Sequence, residues 1–102
     1  MQSDNIITKN LLQIQQLMRD YGVEKAYAFG SAVKGTMHEK SDVDFVIKFP
    51  DDMHYETYAD NYFALAHALE NLLHKNVDLV AEKTLQNPYL IQSINNHKMK
   101  VL

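Results

Sequence analysis

Asp42 and Asp44 stand one residue apart where an apolar run, Phe45-Val46-Ile47, begins. A strand carries residues i and i+2 on one face, so both carboxylates project together while Val43 and Phe45 point the other way. Two carboxylates this close repel, and each raises the other's pKa unless a cation lies between them. A divalent metal is the simplest remedy. Upstream, Gly30-Ser31 breaks a short aromatic-rich run at Lys25–Phe29. Ser31 can cap a helical turn there, leaving backbone N–H groups turned toward phosphate oxygens, and Lys34 adds a positive charge to the same loop. A third aspartate, Asp78, lies in the run Val77–Ala81, and a buried carboxylate converging on the other two is its expected role. Three aspartates offer hard oxygen ligands to magnesium, whose shell is completed by water and substrate phosphates. Such ions support in-line phosphoryl or nucleotidyl displacement. Gly-Ser, a spacer over residues 32–41, Asp-X-Asp entering a strand and a later strand with Asp together make a specific pattern.

The elements that must position these residues follow from periodicity. Residues 4–21 read as one helix, with Ile7, Leu11, Ile14, Met18 and Tyr21 on its apolar stripe. Ser3 or Asp4 would cap it and Gly22 would stop it. Strands are expected at 25–29, 43–49 and 77–81, with a final short one at 99–102. Gly35 and a polar connection over 36–41 join the first two. A second long helix is expected at 56–74, with Ala59, Phe63, Ala66, Leu69, Leu72 and Leu73 inward and Glu70 on the opposite side. Asn87-Pro88 opens a last helix by cap and first-turn rules, with Tyr89, Leu90, Ile91 and Ile94 as its packing face. The fold class is α/β (α+β), a small mixed sheet flanked by helices, and residues 1–102 form a single domain.

Composition narrows the classes. The chain has 102 residues, 46% of them hydrophobic and 23% charged, with a formal net charge of −3. That charge argues against broad nucleic-acid binding, which wants a basic face. With no cysteine, disulfides and thiolate zinc sites are excluded. No apolar stretch reaches the length of a membrane span, and no signal peptide is evident, so a soluble cytoplasmic domain is expected. His67 and His74, seven apart with no third ligand, read as ordinary helix residues, and His38 as a solvated loop residue. Tyr55, Tyr58 and Tyr62 read as packing.

Gly30-Ser31, Asp42-Val43-Asp44 and Asp78, at this spacing, resemble the minimal nucleotidyltransferase (MNT) domains of the DNA polymerase β-like superfamily. The segments GVEKAYAFGSAVKG, YADNYFALAHALENLL, NVDLV and NPYLIQSINNHKMKVL extend the resemblance over nearly the whole chain. It implies a mixed-sheet palm, a nucleoside triphosphate donor, most plausibly ATP, and magnesium held by Asp42, Asp44 and Asp78. Gly30, Ser31 and Lys34 would bind the nucleotide. Lys34 departs from the arginine common in relatives, keeping the charge but not the two-pronged grip on phosphate. Small members resemble the antitoxin of pairs whose other half is a HEPN-domain ribonuclease toxin. The resemblance therefore implies transfer of AMP to a tyrosine of that toxin. Two other readings stay open: a non-catalytic antitoxin that neutralises by covering its partner, and nucleotide transfer to a small molecule such as an aminoglycoside.

Overall fold

The computed structural model describes residues 5–34 and 42–102, the side chains of Ala32 and Lys34 excepted. Ser3, Asp4, Gly35, His38 and the connection over 36–41 lie outside the described residues.

Where one N-terminal helix is expected there are two, α1 (Ile6–Lys9) and α2 (Leu11–Asp20). The break is at Asn10, whose side-chain amide donates to the Ile6 carbonyl at 2.9 Å while its backbone leaves the helical region. Asparagine competes for backbone groups in this way, which is why it is a poor helix-interior residue. Asn5 caps α1 by accepting from the Ile7 N–H at 2.7 Å. Strand β1 (Lys25–Phe29) leads through Gly30 into a single turn of helix, α3 (Ser31–Lys34). Strand β2 (Val43–Lys48) is followed by helix α4 (Tyr55–Leu73), which ends at His74 in the left-handed conformation. Strand β3 (Val77–Ala81), a 3₁₀ turn (Glu82–Thr84), helix α5 (Pro88–Asn96) and strand β4 (Met99–Lys100) complete the order. Asn87 caps α5, accepting from the N–H groups of Tyr89 and Leu90.

The sheet is mixed, ordered β3-β2-β1-β4. β1 pairs antiparallel with β2 and with β4, whereas β2 and β3 run parallel. The parallel pair needs a long crossover, and α4 supplies it.

One face of the sheet carries the core. Val43, Phe45 and Ile47 of β2 are fully or almost fully buried, and Ala28 and Ala26 lie opposite the latter two. The small alanines leave room for the large neighbours, and Ile14, Met18, Leu65, Leu69 and Leu73 close over them. The stripe of α4 is therefore narrower than its composition implies, running through Leu65, Leu69 and Leu73 at four-residue spacing. Phe63, expected inward, is 63% exposed. On α5, Ile94 is buried, but Tyr89, expected on the packing face, is 83% exposed. The opposite face of β2 presents Asp44, Val46 and Lys48. Among the described residues no helix is long and apolar enough to cross a membrane.

Candidate active site

Asp44 pairs with Asp78 in the parallel β2–β3 register, with Phe45 opposite Leu79 and Val46 opposite Val80 on either side. Register partners point to the same face, so the two carboxylates share the face turned away from the core. Asp42 immediately precedes β2 rather than lying within it. Asp44 is half-buried, whereas Asp42 and Asp78 are exposed. The expectation of a buried Asp78 is therefore incorrect. β3 is an outer strand among the described residues and gives Asp78 a neighbouring strand on one side only.

Burial of Asp44, then the carboxylate of Asp78, then that of Asp42, push its carboxyl up from an ordinary 3.8 to about 6. All three act in one direction because each penalises the charged form. Asp78 and Asp42 thus both act electrostatically on Asp44.

Gly30 adjoins this group. Its φ is +75°, a conformation that suits glycine. A β-carbon at that position would overlap Asp44 Oδ2 and come within 3.4 Å of its Cγ. The absence of a side chain at Gly30 is what lets the Asp44 carboxylate lie against this backbone. The register explains the closeness, since Phe29 pairs with Asp44 and Gly30 comes next. The Gly30 carbonyl accepts from the Val33 N–H at 3.1 Å, closing the turn that starts at Ser31. Ser31 is half-buried at the head of α3. Lys34 ends α3, and its side chain lies outside the described residues.

Two side chains of α4 reach β3 on either side of Asp78. Glu70 Oε2 accepts from the Val77 N–H at 3.0 Å, so Glu70 does not lie on a purely solvated face as its position on the helix implies. The Tyr62 hydroxyl donates to the Leu79 carbonyl. Burial, then the charges of Asp78 and Tyr58, raise the Tyr62 phenol above its usual range. Sequence periodicity missed both contacts, because a half-buried polar side chain at the edge of an apolar stripe looks like any solvated one. Tyr58 packs edge-on against Phe49 and stacks with Tyr62, as expected of a packing residue, while Tyr55 is 82% exposed.

The donor set suits a hard divalent cation: carboxylate oxygens alone, on one sheet face, with Asp44 held in a state that a positive charge would relieve. Among the described residues, however, no three His, Cys, Asp or Glu side chains are gathered closely enough to hold an ion. The chemistry of the donor set fits magnesium, and the side chains as they stand would have to turn toward one another to share an ion.

Comparison with known proteins places the fold and the family. The family described as polymerase beta, nucleotidyltransferase matches residues 12–102. A protein of Methanocaldococcus jannaschii named as a candidate protein adenylyltransferase is 33% identical over 94 residues, covering 84% of this chain and 92% of that protein. A crystal structure of a toxin–antitoxin with AMP-PNP superposes with a TM-score of 0.72 at 27% identity, over 91% of this chain and 73% of that one. The structure of a candidate minimal nucleotidyltransferase gives 0.71 at 27% identity, over 91% of this chain and 90% of that one. The mixed sheet with its flanking helices is the fold of that minimal nucleotidyltransferase. With the family profile spanning all but the first eleven residues, the chain belongs to the polymerase β nucleotidyltransferase family.

Proposed function

We propose that the chain is a magnesium-dependent adenylyltransferase that moves AMP from ATP to a tyrosine hydroxyl of a HEPN-domain toxin and so acts as its antitoxin. The observation that carries this reading is the register pairing of Asp44 with Asp78, with Asp42 two residues before it. The toxin–antitoxin likeness and the adenylyltransferase name of the M. jannaschii relative support the choice of partner and reaction class.

Asp42 and Asp44 would hold magnesium, and Asp78 would share one ion. Magnesium, when bound, supplies charge stabilisation at the attacking and departing oxygens of an in-line displacement. The chain's own groups do the rest. The Gly30-Ser31 turn and Lys34 receive the β- and γ-phosphates. Asp78 faces the acceptor hydroxyl and takes its proton as the oxygen bonds to the α-phosphorus. The bond between the α-phosphorus and the bridging oxygen breaks, and pyrophosphate leaves. The products are an AMP–tyrosine ester and pyrophosphate, so atoms and charge balance. Asp44, whose carboxyl is raised to about 6, must be ionised for this arrangement to work.

Label position tests the reaction class. Incubation with the product of the neighbouring reading frame and magnesium should transfer label from α-labelled ATP and none from γ-labelled ATP. Transfer of γ-label would make the chain a kinase and overturn the proposal. A second reading, neutralisation by binding alone, draws on the three carboxylates not being gathered in the structure. Neutralisation that persists in Asp42→Ala with no ATP turnover would establish it instead.

A further inference from the structure

An outer strand has half of its backbone hydrogen-bonding groups without a neighbouring strand. β3 is such a strand among the described residues, yet it carries Asp78. Two of the groups on its open side are met from α4: the Val77 N–H by Glu70 Oε2, and the Leu79 carbonyl by the Tyr62 hydroxyl. Val77 and Leu79 are the residues immediately before and after Asp78. Tyr62 and Glu70 are eight residues apart on α4, about 12 Å along its axis. The chain reverses between α4 and β3, which sets Glu70 against the start of the strand and Tyr62 further along it. A carboxylate acceptor and a phenolic donor match the two backbone groups they meet, one N–H and one C=O.

We infer that Tyr62 and Glu70 are positioning residues which fasten β3 on both sides of Asp78 and so keep that carboxylate in register with Asp44. Both act through the backbone that carries Asp78, by their bonds to Val77 and Leu79. The inference rests on the metal-site reading above. Precision at Asp78 matters because a ligand displaced along an outer strand loses its partner, and outer-shell support of this kind is worth ~10–100-fold in metal affinity. Glu70 also lies 3.9 Å from the imidazole of exposed His67, a contact of the kind that contributes little.

The test uses the full chain with Mn2+ as probe, its uptake followed by electron paramagnetic resonance, and with amide hydrogen exchange over residues 77–81. Tyr62→Phe keeps the ring contacts and removes one oxygen. Glu70→Gln keeps an acceptor oxygen, whereas Glu70→Ala removes it. Tyr62→Phe and Glu70→Ala are expected to weaken Mn2+ uptake about tenfold and to speed exchange in β3. Glu70→Gln should stay within about twofold of wild type, and His67→Ala should be unchanged. Faster exchange with unaltered Mn2+ uptake would overturn the inference, as would Glu70→Gln behaving like Glu70→Ala. Should Glu70→Ala fail to fold, Tyr62→Phe decides by the same readouts. A wild-type chain that takes up no Mn2+ would refute the metal reading, and exchange over 77–81 would then decide the fastening on its own.

Discussion

Asp44 and Asp78 face one another as register partners across the parallel β2–β3 ladder, two like charges on one side of a four-stranded sheet. A pairing chosen for stability alone would avoid this, since like charges directly opposite destabilise a sheet. The repulsion registers at Asp44, whose carboxyl is raised to about 6 by its burial and by the charges of Asp78 and Asp42; the proposed metal site would give that cost a purpose.

Removing the charge should therefore separate stability from activity. Asp44→Asn relieves both the burial cost and the repulsion and is expected to stabilise the metal-free chain by about 1 kcal/mol, a rise of ~4–8 °C in Tm. The same substitution should reduce AMP transfer at least ~100-fold. Calorimetric melts and transfer rates measured on one preparation test both halves.

The pH dependence has a definite sign. Asp44 holds its proton up to about 6 in the folded chain against 3.8 ordinarily. Between those values the folded state binds more protons than the unfolded state, so this group costs stability progressively as pH rises and its full cost is present above about 6. In the proposed site magnesium would bind the ionised form, and it should then raise Tm most above that value and least below it. The difference between wild type and Asp44→Asn, melted across this range with and without magnesium, isolates the contribution of Asp44 from that of other carboxylates.

Gly30→Ala tests the close approach. The positive φ and the overlap with Asp44 Oδ2 act together, so a loss of about 1–2 kcal/mol is expected. Because the carboxylate must swing aside, activity should fall by more than the stability loss alone explains. An alanine variant with wild-type Tm and wild-type transfer would show that Gly30 is not crowded.

The core on the other face sets a control. Leu69 is fully buried among the β2 and α2 side chains, and Leu69→Ala should cost roughly 2–5 kcal/mol. Guanidinium unfolding measures it. Below its lowered midpoint, the remaining folded protein should retain the wild-type magnesium requirement, since the cavity lies behind the sheet from Asp44.

Much of this was legible in the chain itself. Alternation in Val43–Lys48 placed Asp44 and Phe45 on opposite faces, and the Gly30 and Asn87-Pro88 signals marked their turns correctly. Local signals gave way where tertiary contacts decide. Asn10 splits the first helix because its side chain takes the Ile6 carbonyl. Phe63 and Tyr89 stay exposed because apolar character alone does not say which flank of a stripe meets the sheet. The Asp44–Asp78 pairing depends on a register between strands more than thirty residues apart, and the Glu70 and Tyr62 bonds depend on which strand lies outermost. No local pattern encodes either.

In the proposed function Asp42, Asp44 and Asp78 form one magnesium-dependent site for AMP transfer. The most direct measurement is transfer of α-labelled AMP to the neighbouring-gene protein by wild type, Asp42→Ala, Asp44→Ala and Asp78→Asn, with and without magnesium. Labelling is expected from wild type with magnesium, and its loss in all three folded variants and on chelation. Labelling that survives in Asp42→Ala and Asp44→Ala would contradict it.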